Sequence, residues 1–405
     1  MSQDDPREKR SAMNAARTIG VMARLLDQQD GLGVYSRELL QHLFLLDPTT
    51  RYVVFLGSGR AESLFKGFEN VATCVLPRAG KLWWDQVLVP RAARRYGVDL
   101  LFNPKFSLPL LTRIPGVFVL QSCDWYVNPG NYPWWDNLYI RLTLPLYCRK
   151  ASGLLAISQA TLNELSVRTG LNLSAASVTH AGVGASFTAQ RDPVSLREFR
   201  QHYSLPERYI FTVARVLHTG HARMPAYPGG NNERLIRAYR LYRQRARDPL
   251  PLVIAGRAVR QYLLARGFSQ GDLEGIHFLG FVPNEQIHQA YQLADCFVLA
   301  TLCESFGIPI LEALASGCPA IVPSTGAAPE VAGNAARLID PHDEQDIARA
   351  LLEVVESPPL REHLAIEGIG RARAFTWQQA AQRVLRVFDA VLGGAQRAEM
   401  GVRAS

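Results

Sequence analysis

Residues 303–329 read CESFGIPILEALASGCPAIVPSTGAAP, and this stretch decides the fold. Two glutamates, Glu304 and Glu312, stand eight positions apart around a turn, Phe306-Gly307-Ile308-Pro309. The apolar run before it, Ala294–Thr301, reads as a buried parallel strand. Pro309 suits the first turn of a helix, where a missing N–H costs nothing. Gly317 suits the helix exit, and Pro319 blocks continuation. A second strand is expected at Pro319–Pro323. The unit is strand, loop, helix, strand, with one carboxylate in the loop and another on the early helical turns.

That arrangement suits a nucleotide-diphosphate ligand. A helix opening at the carboxyl end of a parallel strand offers unpaired N–H groups to phosphate. One nearby carboxylate can accept hydrogen bonds from a ribose diol, and the other can take hydroxyls of a sugar beyond the phosphates. Taken alone, the spacing also suits a solvated helix glutamate and a plain loop charge.

Outward from this unit, helix and strand patterns alternate, which predicts an α/β protein with parallel sheets. In the first half, strands are expected at Arg17–Arg24, Tyr52–Leu56, Val71–Leu76, Leu100–Asn103, Gly116–Gln121, Gly153–Ile157 and Val178–His180. A glycine loop, Asp30–Tyr35, follows the first of them and precedes a helix capped by Ser36. Ser158 caps a later helix. In the second half, strands are expected at Glu207–Arg215, Pro251–Ala255 and Ile276–Leu279, ahead of the glutamate unit. The domain reading is a disordered tail over 1–16, one domain over 17–190, a polar linker over 191–206 and a second domain over 207–374. A helix over 375–394 and a disordered tail over 395–405 complete it.

The chain has 405 residues, 48% hydrophobic, enough for two cored domains. Its net charge of +8 suits an anionic partner. Zinc spacing, RNP-like aromatic strands and densely basic helices are missing from the sequence, so nucleic acid is not the expected partner. Six cysteines without a C-x-x-C pair, and a start without a signal-peptide pattern, predict reduced thiols in a cytosol. No stretch reaches the roughly 18 apolar residues of a membrane span. His218 and His221 have a spacing a metal could use, but no carboxylate or cysteine stands near them in sequence, so no metal site is expected. Arg78–Lys105 holds six basic residues against two acidic, with Trp83 and Trp84 beside Lys81. It reads either as an amphipathic packing helix or as an interfacial patch for an anionic membrane or lipid-diphosphate acceptor.

The stretch from Glu304 to Glu312 resembles the E-x7-E signature of retaining GT-B glycosyltransferases of family 4. The resemblance covers roughly residues 18–392, through the Gly31–Gly33 loop, LLAISQATLNEL, VTHAGVGASF and FTWQQAAQRVLRVF. It implies two Rossmann-like domains facing a cleft, with the last helix crossing back to the first domain. It implies a hexose donor such as GDP-mannose or a UDP-hexose, a glycan or lipid-linked acceptor, and no cofactor or metal. Glu304 would lie by the donor sugar and Glu312 would hold the ribose. Phe306, Gly307 and Ile308 would line the donor, Gly31 and Gly33 would approach phosphates or acceptor, and Arg215 would pair with the diphosphate. Two positions depart from the pattern. Asn231 stands where a lysine is usual, and Arg223 is the nearest cation to replace it. Gln121 stands where a histidine is usual; it can hydrogen-bond a sugar hydroxyl but cannot take a proton. Those departures keep a second reading open, a transferase-like protein that binds nucleotide sugar or scaffolds an assembly complex. A nucleotide-sugar epimerase is a third. The expected location is cytoplasmic, at the inner face of the membrane.

Overall fold

The computed structural model describes residues 17–24, 26, 31–214, 216 and 230–399, excluding the side chains of 131 and 395–399. The segment TIGVMA forms β1 (Thr18–Ala23), buried at every position. A strand apolar on both faces needs neighbours on both edges and layers on both sides. It pairs in parallel with β2 (Arg51–Leu56) and, on its other edge, with β4 (Leu100–Asn103). The sheet is completed by β3 (Val71–Val75), β5 (Gly116–Leu120), β6 (Gly153–Ala156) and β7 (Ser177–Val178). Its spatial order is β3-β2-β1-β4-β5-β6-β7.

The second sheet uses β8 (Ile210–Val213), β9 (Leu252–Ala255), β10 (Ile276–Gly280), β11 (Cys296–Val298), β12 (Ala320–Pro323) and β13 (Ala336–Ile339). Its order is β10-β9-β8-β11-β12-β13, again parallel throughout. Each sheet therefore reverses its strand order once, between β1 and β4 and between β8 and β11. A crevice opens at the carboxyl ends of such a switch, and ligands bind there in open α/β sheets. The two-domain α/β architecture read from the sequence is the one found.

Three local expectations differ. Ser36 is not a cap, because the helix starts earlier, at Gly31, and runs to Leu46. Its hydroxyl donates to the Leu32 carbonyl one turn back, 2.8 Å away. The segment expected to be a linker holds a helix, Pro193–His202, capped by the Asp192 side chain. Its polarity arises because only Leu196 and Phe199 are buried, and Phe199 joins the main hydrophobic core. The final helix runs Trp377–Glu399, on into the stretch expected as a tail.

That last helix packs against the helix Gly31–Leu46 and β6 of the first domain. Phe102 and Phe388 meet edge to face at 5.1 Å, and Thr179 donates to the Ala380 carbonyl at 3.3 Å. Gly182 makes the approach possible: a Cβ there would lie 2.1 Å from the Trp377 nitrogen. No described helix is long and apolar enough to cross a membrane. All six cysteines are free.

Candidate active site

The loop after β11 carries Glu304, and the helix Ile308–Ala315 carries Glu312. Gly307 opens that helix with φ +90, a left-handed conformation that favours glycine. The loop is pinned from below by the turn after β12. The Ala327 N–H donates to the Glu304 carbonyl at 2.8 Å. Gly326, at φ +62, lies so close that a Cβ would sit 2.6 Å from the Glu304 oxygen.

Glu312 keeps a little exposed surface, yet protein encloses its carboxyl group. Burial pushes its pKa up to about 7, and the hydrogen bond from the Tyr291 hydroxyl, at 2.9 Å, opposes the rise only partly. The Tyr291 hydroxyl is itself held well above its usual range, by burial first and by Glu312 second. A carboxyl poised near neutrality gains from any ligand that donates hydrogen bonds to it.

The same loop meets the other domain. The Ser305 carbonyl accepts from the Ser158 hydroxyl at 2.6 Å and from Thr161 at 3.2 Å. The Ser305 hydroxyl reaches Ser122 at 3.1 Å. Ser158 also caps its own helix, Gln159–Thr169, as its sequence predicts. On the helix Ala328–Ala332, Glu330 lays its carboxylate on the start of Gln159–Thr169. It accepts from the Gln159 and Ala160 N–H groups at 2.9 and 3.0 Å. His180 Nε2 stands 2.7 Å from the same carboxylate. Arg383 can only donate, so His180 Nδ1 accepts from it at 3.3 Å and the Nε2–H faces Glu330. Burial alone would raise the Glu330 pKa. His180 and the two backbone donors outweigh it and hold the carboxyl below its ordinary value.

Phe306 is buried, its ring clustered with those of His180 and Phe375. Its side chain is thus packing, and what it and buried Gly307 can offer a ligand is backbone, while Ile308 is half-buried. Gly31 and Gly33 lie on the first turn of a helix rather than in a free loop. Beside them, at the carboxyl ends of β1 and β4, is a cavity of about 100 Å³ lined by Ser36, Lys81, Trp84, Asp85, Asn103 and Lys105. Trp84 is therefore a core residue, and only Trp83 of that pair faces out.

Gln121 follows β5 directly and is nearly fully buried. Its Nε2 donates to the Pro104 carbonyl, which fixes the amide, and its Oε1 has no partner among the described residues. Asn231 has a structural part. Its Nδ2 donates to the Ala300 and Pro341 carbonyls, both at 2.7 Å, and its Oδ1 accepts from Arg234 at 2.6 Å. With φ +52 it starts the helix Asn232–Arg245 and ties together the loops after β11 and β13. Its described side-chain hydrogen bonds are all to protein, so the amide holds the backbone of these loops. Arg215 and Arg223, with His218 and His221, lie outside the described residues. Among the described residues no group of three metal-ligating side chains is found.

O-antigen chain mannosyltransferase B of Escherichia coli is 31% identical over 380 residues, covering 88% of this chain and 95% of that protein. The family described as Glycosyl transferases group 1 matches residues 228–371. The chain belongs to the group 1 glycosyltransferases. Among solved structures, HepE of Anabaena in complex with UDP and glucose matches this transferase with a TM-score of 0.71 at 17% identity. It covers 92% of this chain and 100% of that one. WaaG, a glycosyltransferase involved in lipopolysaccharide biosynthesis, gives 0.67 at 13% identity, covering 92% and 99%. At those identities the likeness establishes the fold, which is GT-B.

Sequence reasoning missed Glu330, His180, Ser305 and Tyr291. The Pro-Glu pair at the start of a short helix was the available signal for Glu330, but its partners lie some 150 and 170 residues away in the chain.

Proposed function

We propose that this transferase moves a hexose, mannose first among the candidates, from a nucleotide-diphosphate sugar to a glycan or lipid-linked acceptor, with retention and without a metal. The observation that carries the reading is the enclosed Glu312 carboxyl beside a loop that holds Glu304 at the domain junction. Glu312 would accept the ribose hydroxyls, and Glu304 would lie by the donor sugar. Arg215 and helix N–H groups would meet the charge that builds on the departing diphosphate. That diphosphate would help deprotonate the acceptor, so Gln121 need not carry a proton. The cavity lined by Lys81, Asp85 and Asn103 is where an acceptor would enter the first domain. The similarity to the Escherichia coli O-antigen chain mannosyltransferase supports mannose and an O-antigen-type glycan. The reaction would take place in the cytoplasm.

A melting-temperature panel of nucleotide sugars tests donor choice, since a bound ligand raises apparent stability by mass action. Transfer from the selected donor is then measured with and without EDTA. Complete loss restored by magnesium or manganese would overturn the metal-free mechanism. Donor binding with no transfer to any acceptor would favour the non-catalytic reading, and donor conversion without acceptor would favour an epimerase. Glu304→Gln is expected to keep donor affinity and lose turnover.

A further inference from the structure

The helix Trp134–Lys150 is apolar on two sides. Ile140, Leu144 and Tyr147 face the core. On the other side Trp134, Trp135, Leu138, Leu142 and Leu146 are between 45% and 72% exposed. At 3.6 residues per turn these five fall within roughly 120° of the circumference, over about 20 Å of helix. A helix that is apolar all round is ordinarily covered all round. The next helical segment extends the surface. Lys81 sits 4.7 Å over the Tyr139 ring, and its neighbours Leu82 and Trp83 are more than half exposed.

The exposed charges on the stripe itself are basic. Arg141 and Arg149 are exposed along it, while Asp136, the helix's one acid, projects to a different side in the helical repeat, near Lys81. Tryptophans beside a leucine stripe with flanking arginines match a bilayer interface, where indole rings sit at headgroup depth and cations meet anionic lipid. A second protein chain would also cover apolar surface, but it would not select for cations without acids.

We propose that the outer face of Trp134–Lys150, with Leu82 and Trp83, is the docking surface of this protein on an anionic phospholipid bilayer. The helix lies in the interface and does not cross it. It belongs to the first domain, so docking would turn that domain toward the membrane and leave the second free to move. The inference is independent of the donor, the sugar and the reaction.

The test is flotation of the full chain with vesicles of phosphatidylcholine alone and with about one-third phosphatidylglycerol, at low and high salt. Wild type is expected to float with the anionic vesicles and to be released by salt. Trp134→Ser with Trp135→Ser should weaken partitioning at least tenfold. Arg141→Glu with Arg149→Glu should abolish the preference for anionic lipid. Val167→Ser, an exposed apolar change on another helix, should change nothing. Melting temperatures and donor affinity by calorimetry are measured on every variant to show that each is folded. The proposal is overturned if wild type floats with neither vesicle or equally with both, or if the tryptophan variant partitions as wild type. It is equally overturned if that variant turns a dimer into a monomer and neither form binds vesicles, which would make a second copy the occupant.

Discussion

Glu330→Gln should open the cleft. The carboxylate takes two backbone N–H groups at the start of an eleven-residue helix and the Nε2–H of His180, all from the other domain. A glutamine keeps one acceptor oxygen and turns its NH2 toward a second donor. Hydrogen bonds to a charged group contribute about 1.5–3 kcal/mol each, and an anion at a helix start adds about 0.3–1 kcal/mol. The side chain retains 24% exposure, so solvent takes back part of this. A net loss of about 2 kcal/mol from the closed arrangement is a reasonable working value, equivalent to a shift of roughly thirtyfold in the balance of open and closed forms. Small-angle scattering should show a larger radius of gyration for Glu330→Gln, and turnover at saturating substrate should fall by up to that factor. His180→Ala should give a smaller effect that is not additive with Glu330→Gln, because they share one interaction. The sign with pH follows from the lowered Glu330 pKa: the contact is complete above the ordinary carboxylate value and is lost as pH falls through the lowered one. Unchanged scattering and unchanged turnover in Glu330→Gln would refute the clamp.

Three further outcomes are expected. Glu312→Gln should weaken a nucleotide-diphosphate donor by roughly 1.5–3 kcal/mol in calorimetry, and an unchanged dissociation constant would remove Glu312 from the ribose site. Because the Glu312 carboxyl titrates at about 7 instead of 4.5, donor binding should tighten as pH rises through 7 and release protons, read as heats that differ between buffers. The same shift has the opposite sign for the free protein, whose folded state binds the extra proton and so loses stability as pH rises from 4.5 to 7; a donor affinity flat across that window would count against the role. Gly326→Ala should lower the melting temperature and abolish turnover, since φ +62 costs alanine about 1–2 kcal/mol and its Cβ would strike the Glu304 backbone; a fully active, equally stable variant would show that the Glu304 loop needs no such support.

The strands were legible because buried parallel strands are short apolar runs bounded by turn residues. Leu100–Asn103 is found at its expected limits, and most others within one or two residues. β13 escaped because Ala336–Ile339 is only four residues long and is interrupted by Arg337. Its guanidinium lies out along the sheet edge toward Asp346 and Glu353. Ser36 misled because a serine before an apolar run is the usual cap signal, while the two glycines ahead of it lowered expectation of a helix that nonetheless includes them. The junction between domains was not readable at all. Glu330, His180 and Ser305 acquire meaning only from partners brought near by two separate sheets, and periodicity carries no information about such distances. Asn231 shows the converse, since a polar residue at a position of family interest turned out to hold up the backbone.

The return of Trp377–Glu399 to the first domain has a consequence during synthesis. Val384 and Phe388, both completely buried, complete the core that Phe102 and β1 begin. A ribosome making this chain releases β1 to β7 long before that helix exists. For the time needed to translate some two hundred further residues, at about 5–20 residues per second, the first domain carries an open apolar seam. It is in this interval that the nascent protein is most exposed to aggregation and most in need of a chaperone, and a ribosome stalled ahead of Trp377 would leave a two-domain chain with that seam still open.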